Sequence, residues 1–269
     1  MSVRSTVLAA YVLHRYDWSE SSVILDLFTR DEGRVAVAAK GAKKPFSQLR
    51  AVLLPFQRLV VTLARPTDEG AEVRNLRGAE RAGGAAMPGG AALFSGFYAN
   101  ELLLKLLARH DPHPLLFDAY AATVGVLADP ASADGTAVGA DAALRAFELV
   151  LLREIGLLAD LSVETASRRD VDGARRYALL ADAGVVEATG VAESEVASVQ
   201  GSTLLALQRG LDAHDLGALR RTAGTAGAEL RPVLRRIVQH HLGTPSLRTR
   251  QVLLASQALV APSPVSSPR

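Results

Sequence analysis

The chain has no cysteine among its 269 residues, which excludes disulfides, thiolate zinc sites and cysteine nucleophiles. It also lacks a long apolar run. The N-terminal stretch from Val7 to Leu13 soon meets charge, and no other run approaches the roughly 20 residues that a membrane span requires. A soluble, cytoplasmic protein is expected. Charge of one sign is missing as well: the formal net charge is +2, so any polyanionic partner must be met by local patches rather than by the field of the whole molecule. Lysine is scarce. Three of its four lysines, Lys40, Lys43 and Lys44, fall in one short stretch, "AKGAKKPFSQLR", whereas elsewhere the strong cations other than Lys105 are arginine.

The first eighty residues are written in short β-rich runs. "TVLAAYVLHRY", "SSVILDLFTR", "GRVAVAAKG", "LLPFQRLVVTLAR" and "AEVRNLRGAE" are separated by turn formers such as Asp31-Glu32-Gly33. Five short strands in this length suggest a small closed barrel. An OB-fold is the commonest such barrel and uses its open face and loops for oligonucleotides or oligosaccharides; an SH3-like barrel fits nearly as well.

Composition then shifts at "RAGGAAMPGGAA" to helical patterns. A central helix is predicted from Leu93 to Asp111, ended by Pro112 and Pro114, then helices in "LLFDAYAATVGVLAD" and "AALRAFELVLLREIG", with Gly156 as a C-terminal cap. The fold class is α+β: an OB-fold barrel over 1–80, a helical domain over 81–158 and 201–256, a small insert over 159–200 and a Pro- and Ser-rich, disordered tail over 257–269. Within the insert, Ala183-Gly184 is expected to turn a hairpin.

Several segments, "WSESSVILDLFTRDEGRVAVAAKGAKK", "LLPFQRL", "LFSGFYANELLLKLL", "LRAFELVLLREIG" and "LGTPSLRTRQVL", together resemble the bacterial RecO family of recombination mediators. The resemblance implies an OB-fold followed by a helical domain, and a nucleoid-associated protein that binds single- and double-stranded DNA. It further implies annealing of complementary strands and partnership with RecR to load RecA onto DNA coated by single-strand binding protein (SSB). Many members carry a four-cysteine zinc module after the "FEL" helix. This chain has no such residues, so no metal or cofactor is expected and the insert is read as metal-free.

Lys40, Lys43 and Lys44 follow a strand, bracketed by Gly41 and Pro45, with Arg34 and Arg50 nearby and no acid between those two arginines. Ammonium groups on flexible stems suit the varying phosphate positions of a single strand. Tyr16, Trp18 and Phe46 are the candidates for base stacking, whereas Phe28 and Phe56 lie in apolar strand context and are assigned to the core. The resemblance aligns Arg145 with the family's basic residue that meets the acidic C-terminal tail of SSB, and Phe147 and Leu149 are its expected apolar companions. A second basic stretch, Arg231 to Arg250, carries no assigned role.

Two carboxylates interrupt apolar helices, Glu101 and Glu148. An enzyme built on them is one alternative and an OB-type RNA-binding factor another. The preferred reading is non-enzymatic, with each carboxylate paired to an arginine from another helix or capping a loop, because an unpaired buried carboxylate costs several kcal/mol.

Overall fold

A computed structural model describes residues 5–65, 72–83, 86–130, 138–188, 197–243, 247–249 and 251–252. The expected disordered tail at 257–269 lies outside these residues. The protein is α+β. Strands β1 (Ser5–Asp17), β2 (Val23–Thr29), β3 (Gly33–Ala39), β4 (Leu59–Ala64) and β5 (Val73–Arg81) close a barrel in the order β1-β2-β3-β5-β4. Strand β1 pairs antiparallel with both β2 and β4, and β3 runs parallel to β5. That order decides the barrel in favour of the OB-fold.

Alternation explains how this barrel faces two ways. Leu8, Ala10 and Val12 of β1, with Val23, Leu25 and Leu27 of β2, point into the barrel. Tyr11, Leu13 and Phe28 point outward into the helical core, where Phe117 and Tyr120 receive them. A strand buried on both faces loses its polar alternation, hence the continuous run "AAYVL". Phe28 and Phe56 are core residues, as expected.

The stretch before β4 differs from expectation. A short helix α1 (Leu49–Val52) precedes it, and the strand begins only at Leu59 rather than at Leu53. The chain turns through Phe56 at a φ of 64°, and its ring presses on Gly96, where a Cβ would lie 2.8 Å from Phe56 Cε1. Only glycine permits this approach.

Helices α2 (Gly90–Leu106), α3 (Pro114–Leu127) and α4 (Val138–Glu154) follow. Helix α2 stops ahead of its two downstream prolines, because the Arg34 side chain takes the carbonyls of Leu104 and Leu107 at its C-terminal end. Pro114 occupies the start of α3, where a missing N–H costs nothing. Gly156, at a φ of 73°, ends α4, with the Leu157 amide bonded to the Leu152 carbonyl at 2.8 Å. This is a left-handed glycine cap.

The insert forms a hairpin, β6 (Arg176–Leu180) and β7 (Gly184–Glu187), with Gly184 at a φ of 68°. A third strand, β8 (Ser198–Gln200), adds to β6 on the other side. Tyr177, Leu179, Val185 and Val199 join the helical core. Ion pairs at 2.9 Å (Arg169–Glu164) and 2.8 Å (Arg175–Glu187) tie its loops. Helices α5 (Gly201–Asp212), α6 (Leu216–Thr225) and α7 (Gly227–Leu242) complete the fold, α6 capped by Asp215 and α7 stopped by Gly243 in the left-handed region.

Candidate nucleic-acid and peptide interfaces

The turn after β3 is clamped onto the loop between β1 and β2. The Lys43 amide bonds to the Ser21 carbonyl at 3.0 Å, and Lys43 Nζ donates to the Ser19 carbonyl at 2.8 Å while pairing with Asp17 at 3.0 Å. The hydrogen bond and charge of Lys43 hold the Asp17 carboxyl below its ordinary range. Between the two loops lies a groove of about 430 Å³ lined by Trp18, Ser19, Ser21, Ser22, Lys40 and Lys44, with Gly41 at its floor. Lys40 and Lys44 are exposed there, and Trp18 is 56% exposed.

The remaining barrel candidates divide. Phe46 is 98% exposed, Tyr16 is half exposed with its edge against His14, and Arg50 is exposed on α1. None of these three lines the groove. Arg34 is a correction to the sequence reading: it points away from the groove. On the outer face of β3 it meets buried Asp26 at 3.0 Å and the end of α2, while Arg109 reaches the same carboxylate at 3.3 Å. Burial pushes the Asp26 carboxyl up, against the pull of both arginines. Asp26 and Arg34 fall on the same face of adjoining hairpin strands, a pairing that the sequence shows once the register is drawn.

A second concavity, of about 450 Å³, lies in the helical domain. Phe94 and Tyr98 of α2, Leu144 of α4, Val238 of α7 and Leu247 supply apolar wall, and Arg145, Arg231 and Arg235 supply cations. Arg145 is almost fully buried, 2.5 Å from fully buried Glu148 and 3.8 Å from Asp141. Its Nε has no hydrogen-bond partner among the described residues. Arg231 pairs with Asp141 at 3.1 Å, whereas Arg235 is exposed and has no acidic partner among the described residues.

Phe147 and Leu149 are not part of this concavity: both are fully buried in the core, so the apolar wall comes from elsewhere. The residues missed were Arg231, Arg235 and Val238. Their spacing of i, i+4 and i+7 puts them on one face of α7, which is the signal in the otherwise unassigned basic stretch. Arg250 lies outside the described residues.

Both interrupting carboxylates are occupied. Glu148 accepts from the Tyr98 hydroxyl at 2.6 Å and faces Arg145, which corrects the expected source of its partner: the arginine belongs to the same helix, one turn away, and only the tyrosine comes from another. Burial raises its pKa despite both partners. Glu101 accepts backbone amides from Arg248 at 3.0 Å and Thr249 at 2.9 Å, which is the expected capping of a loop. Both carboxylates thus have the partners that their burial demands.

Comparison with known proteins identifies the family. Residues 1–82 match the family described as Recombination protein O N terminal, and residues 89–251 match Recombination protein O C terminal. The chain belongs to the RecO family. It is 49% identical over 251 residues to the DNA repair protein RecO of Verminephrobacter eiseniae, covering 93% of this chain and 96% of that protein. It is 50% identical to the RecO proteins of Polaromonas naphthalenivorans, over 251 residues, and Paracidovorax citrulli, over 258, with the same coverage of both chains. DNA repair and recombination are therefore the setting of this chain. No helix among the described residues is long and apolar enough to cross a membrane.

Proposed function

We propose that this RecO-family chain is a non-enzymatic, cytoplasmic handler of DNA: it binds single and double strands at the barrel rim and anneals complementary strands. The observation that carries this reading is the grouping of Trp18, Lys40 and Lys44 with three serines around one groove of an OB barrel. Ammonium groups neutralise phosphates, serine hydroxyls donate to them, and an indole offers a face to bases. Tyr16, Phe46 and Arg50 extend the contact along the strand. Lys43 serves by holding the two loops together rather than by touching phosphate. Annealing follows when two strands are held close with their charge partly neutralised, since base pairing then supplies the driving force.

The helical pocket adds a protein partner. A buried guanidinium with an unmet N–H, an exposed Arg235 and an aromatic-lined wall suit a peptide that ends in a carboxylate beside an apolar ring. The acidic tail of SSB has that chemistry. Together with RecR, such a protein would bring RecA to strands that SSB already covers.

Titration of fluorescent oligonucleotides at two salt concentrations tests the first part, and SSB-dependent annealing with and without the SSB tail tests the second. Weak binding without a salt slope would overturn the DNA reading. Preference for RNA over DNA of the same sequence in direct competition would move the barrel to an RNA partner.

A further inference from the structure

The wall of the helical pocket is completed by a piece of chain that arrives from far away in sequence. Leu247 is buried in the helical core and, with Thr249, lines the same concavity as Arg145 and Arg235. What fixes this piece is one side chain of α2. Glu101 Oε1 accepts the Arg248 amide at 3.0 Å, and Oε2 accepts both the Thr249 amide at 2.9 Å and the Thr249 hydroxyl at 2.5 Å. Lys105, one turn on, balances the carboxylate at 3.6 Å. The Glu101 side chain is only 12% exposed, so it is committed to these donors.

Glu101 itself does not line the pocket. Its effect on a ligand there is indirect, through the segment it holds.

We propose that Glu101 is a positioning residue for the peptide pocket: by gathering the amides of Arg248 and Thr249 it fixes Leu247 and Thr249 as one wall, and thereby sets the affinity for a carboxylate-terminated peptide. This rests on the reading of the pocket as a peptide-tail site. A prepositioned wall matters because a ligand that must first order a loop loses that cost from its affinity. Charge-assisted bonds to backbone amides are the strong class of hydrogen bond, so the carboxylate is a strong anchor for the segment beside the burial of Leu247.

The test uses the full chain and a fluorescein-labelled acidic peptide ending in a free phenylalanine carboxylate, followed by fluorescence anisotropy. Glu101→Ala should weaken peptide binding by about tenfold, in keeping with loss of charged hydrogen bonds, while oligonucleotide affinity stays at the parental value. Glu101→Gln keeps a carbonyl acceptor for one donor and should recover part of the loss. Thr249→Val, which removes only the hydroxyl donor, should weaken the peptide by a smaller factor; these two variants decide the matter if Glu101→Ala does not fold.

The combination of Glu101→Ala with Leu247→Ala should bind no more weakly than the poorer single variant, because both act through the same wall. Factors that simply multiply would overturn the assignment. If the parent binds the peptide and Arg235→Ala weakens it, yet Glu101→Ala, Glu101→Gln and Thr249→Val all bind as the parent does, the positioning role is wrong and the peptide site stands. If the parent fails to bind the peptide at all, the site reading falls and the positioning role with it.

Discussion

The barrel rim and the helical pocket are both basic, yet they hold their cations in opposite ways. At the rim, Lys40 and Lys44 stand in solvent on a turn, and only Lys43 is tied down. In the pocket, Arg145 is buried between Glu148 and Asp141, and apolar side chains surround it. The contrast fits the two kinds of ligand proposed above. A nucleic-acid backbone presents phosphates at shifting positions and rewards mobile charge, whereas a peptide end presents one planar carboxylate and rewards a guanidinium fork of fixed orientation. Charge sign alone does not distinguish the two surfaces; the freedom of the cation does.

The largest expected effect attacks the buried end of that contrast. Arg145→Ala leaves Glu148 without its ion partner in a fully buried site, and should cost about 3–5 kcal/mol of stability in urea unfolding. A loss under about 1 kcal/mol would mean that Arg145 behaves like a surface cation and that the two regions do not differ in kind. Next in size is Trp18→Ala, which should weaken a single-stranded oligonucleotide by about 1–3 kcal/mol if one base stacks there. Equal losses on single strand and duplex would argue against stacking.

Smaller again is the salt dependence. Lys40→Ala and Lys44→Ala should each reduce the slope of log affinity against log salt by about 0.7 on single strands, while Lys43→Ala should leave the slope near parental and loosen the Ser19–Ser22 loop instead. Three equal reductions would make Lys43 a phosphate ligand after all. The smallest effect is on pH dependence. Burial raises the Glu101 pKa, but the Thr249 hydroxyl, the two backbone amides and Lys105 outweigh it, so the carboxyl lies below its ordinary value. Its contribution to stability is therefore present above the ordinary carboxylate range and is lost as pH falls through the depressed pKa. Glu101→Gln should flatten the acid end of a stability–pH curve.

The barrel was legible because period-2 alternation and turn residues speak locally, and the helices because their caps do. Two classes of residue were not. Arg34 reads as part of a basic loop until the hairpin register is drawn, which sets it opposite Phe28 and diagonal to Asp26, on the face that meets the helices. Phe147, two residues after Arg145, lies on the other side of α4, which helix spacing already indicates, whereas Leu149, one turn on from Arg145, is separated from the pocket only by its complete burial in the core. The start of β4 failed for a different reason: Phe56 adopts a left-handed backbone to reach Gly96, a contact between distant segments that propensity does not encode. The carboxylates fared better, since desolvation physics demanded partners for Glu101 and Glu148 before any were seen.

Arg34 has one more implication. Its guanidinium joins Asp26 of the barrel to the carbonyl end of α2, and Arg109 grips the same carboxylate from the helical side. Barrel and helices are thus joined through one buried carboxylate that two arginines share. On the proposed reading, a strand released by a protein held at the pocket meets the rim at a local concentration set by the distance between the two sites.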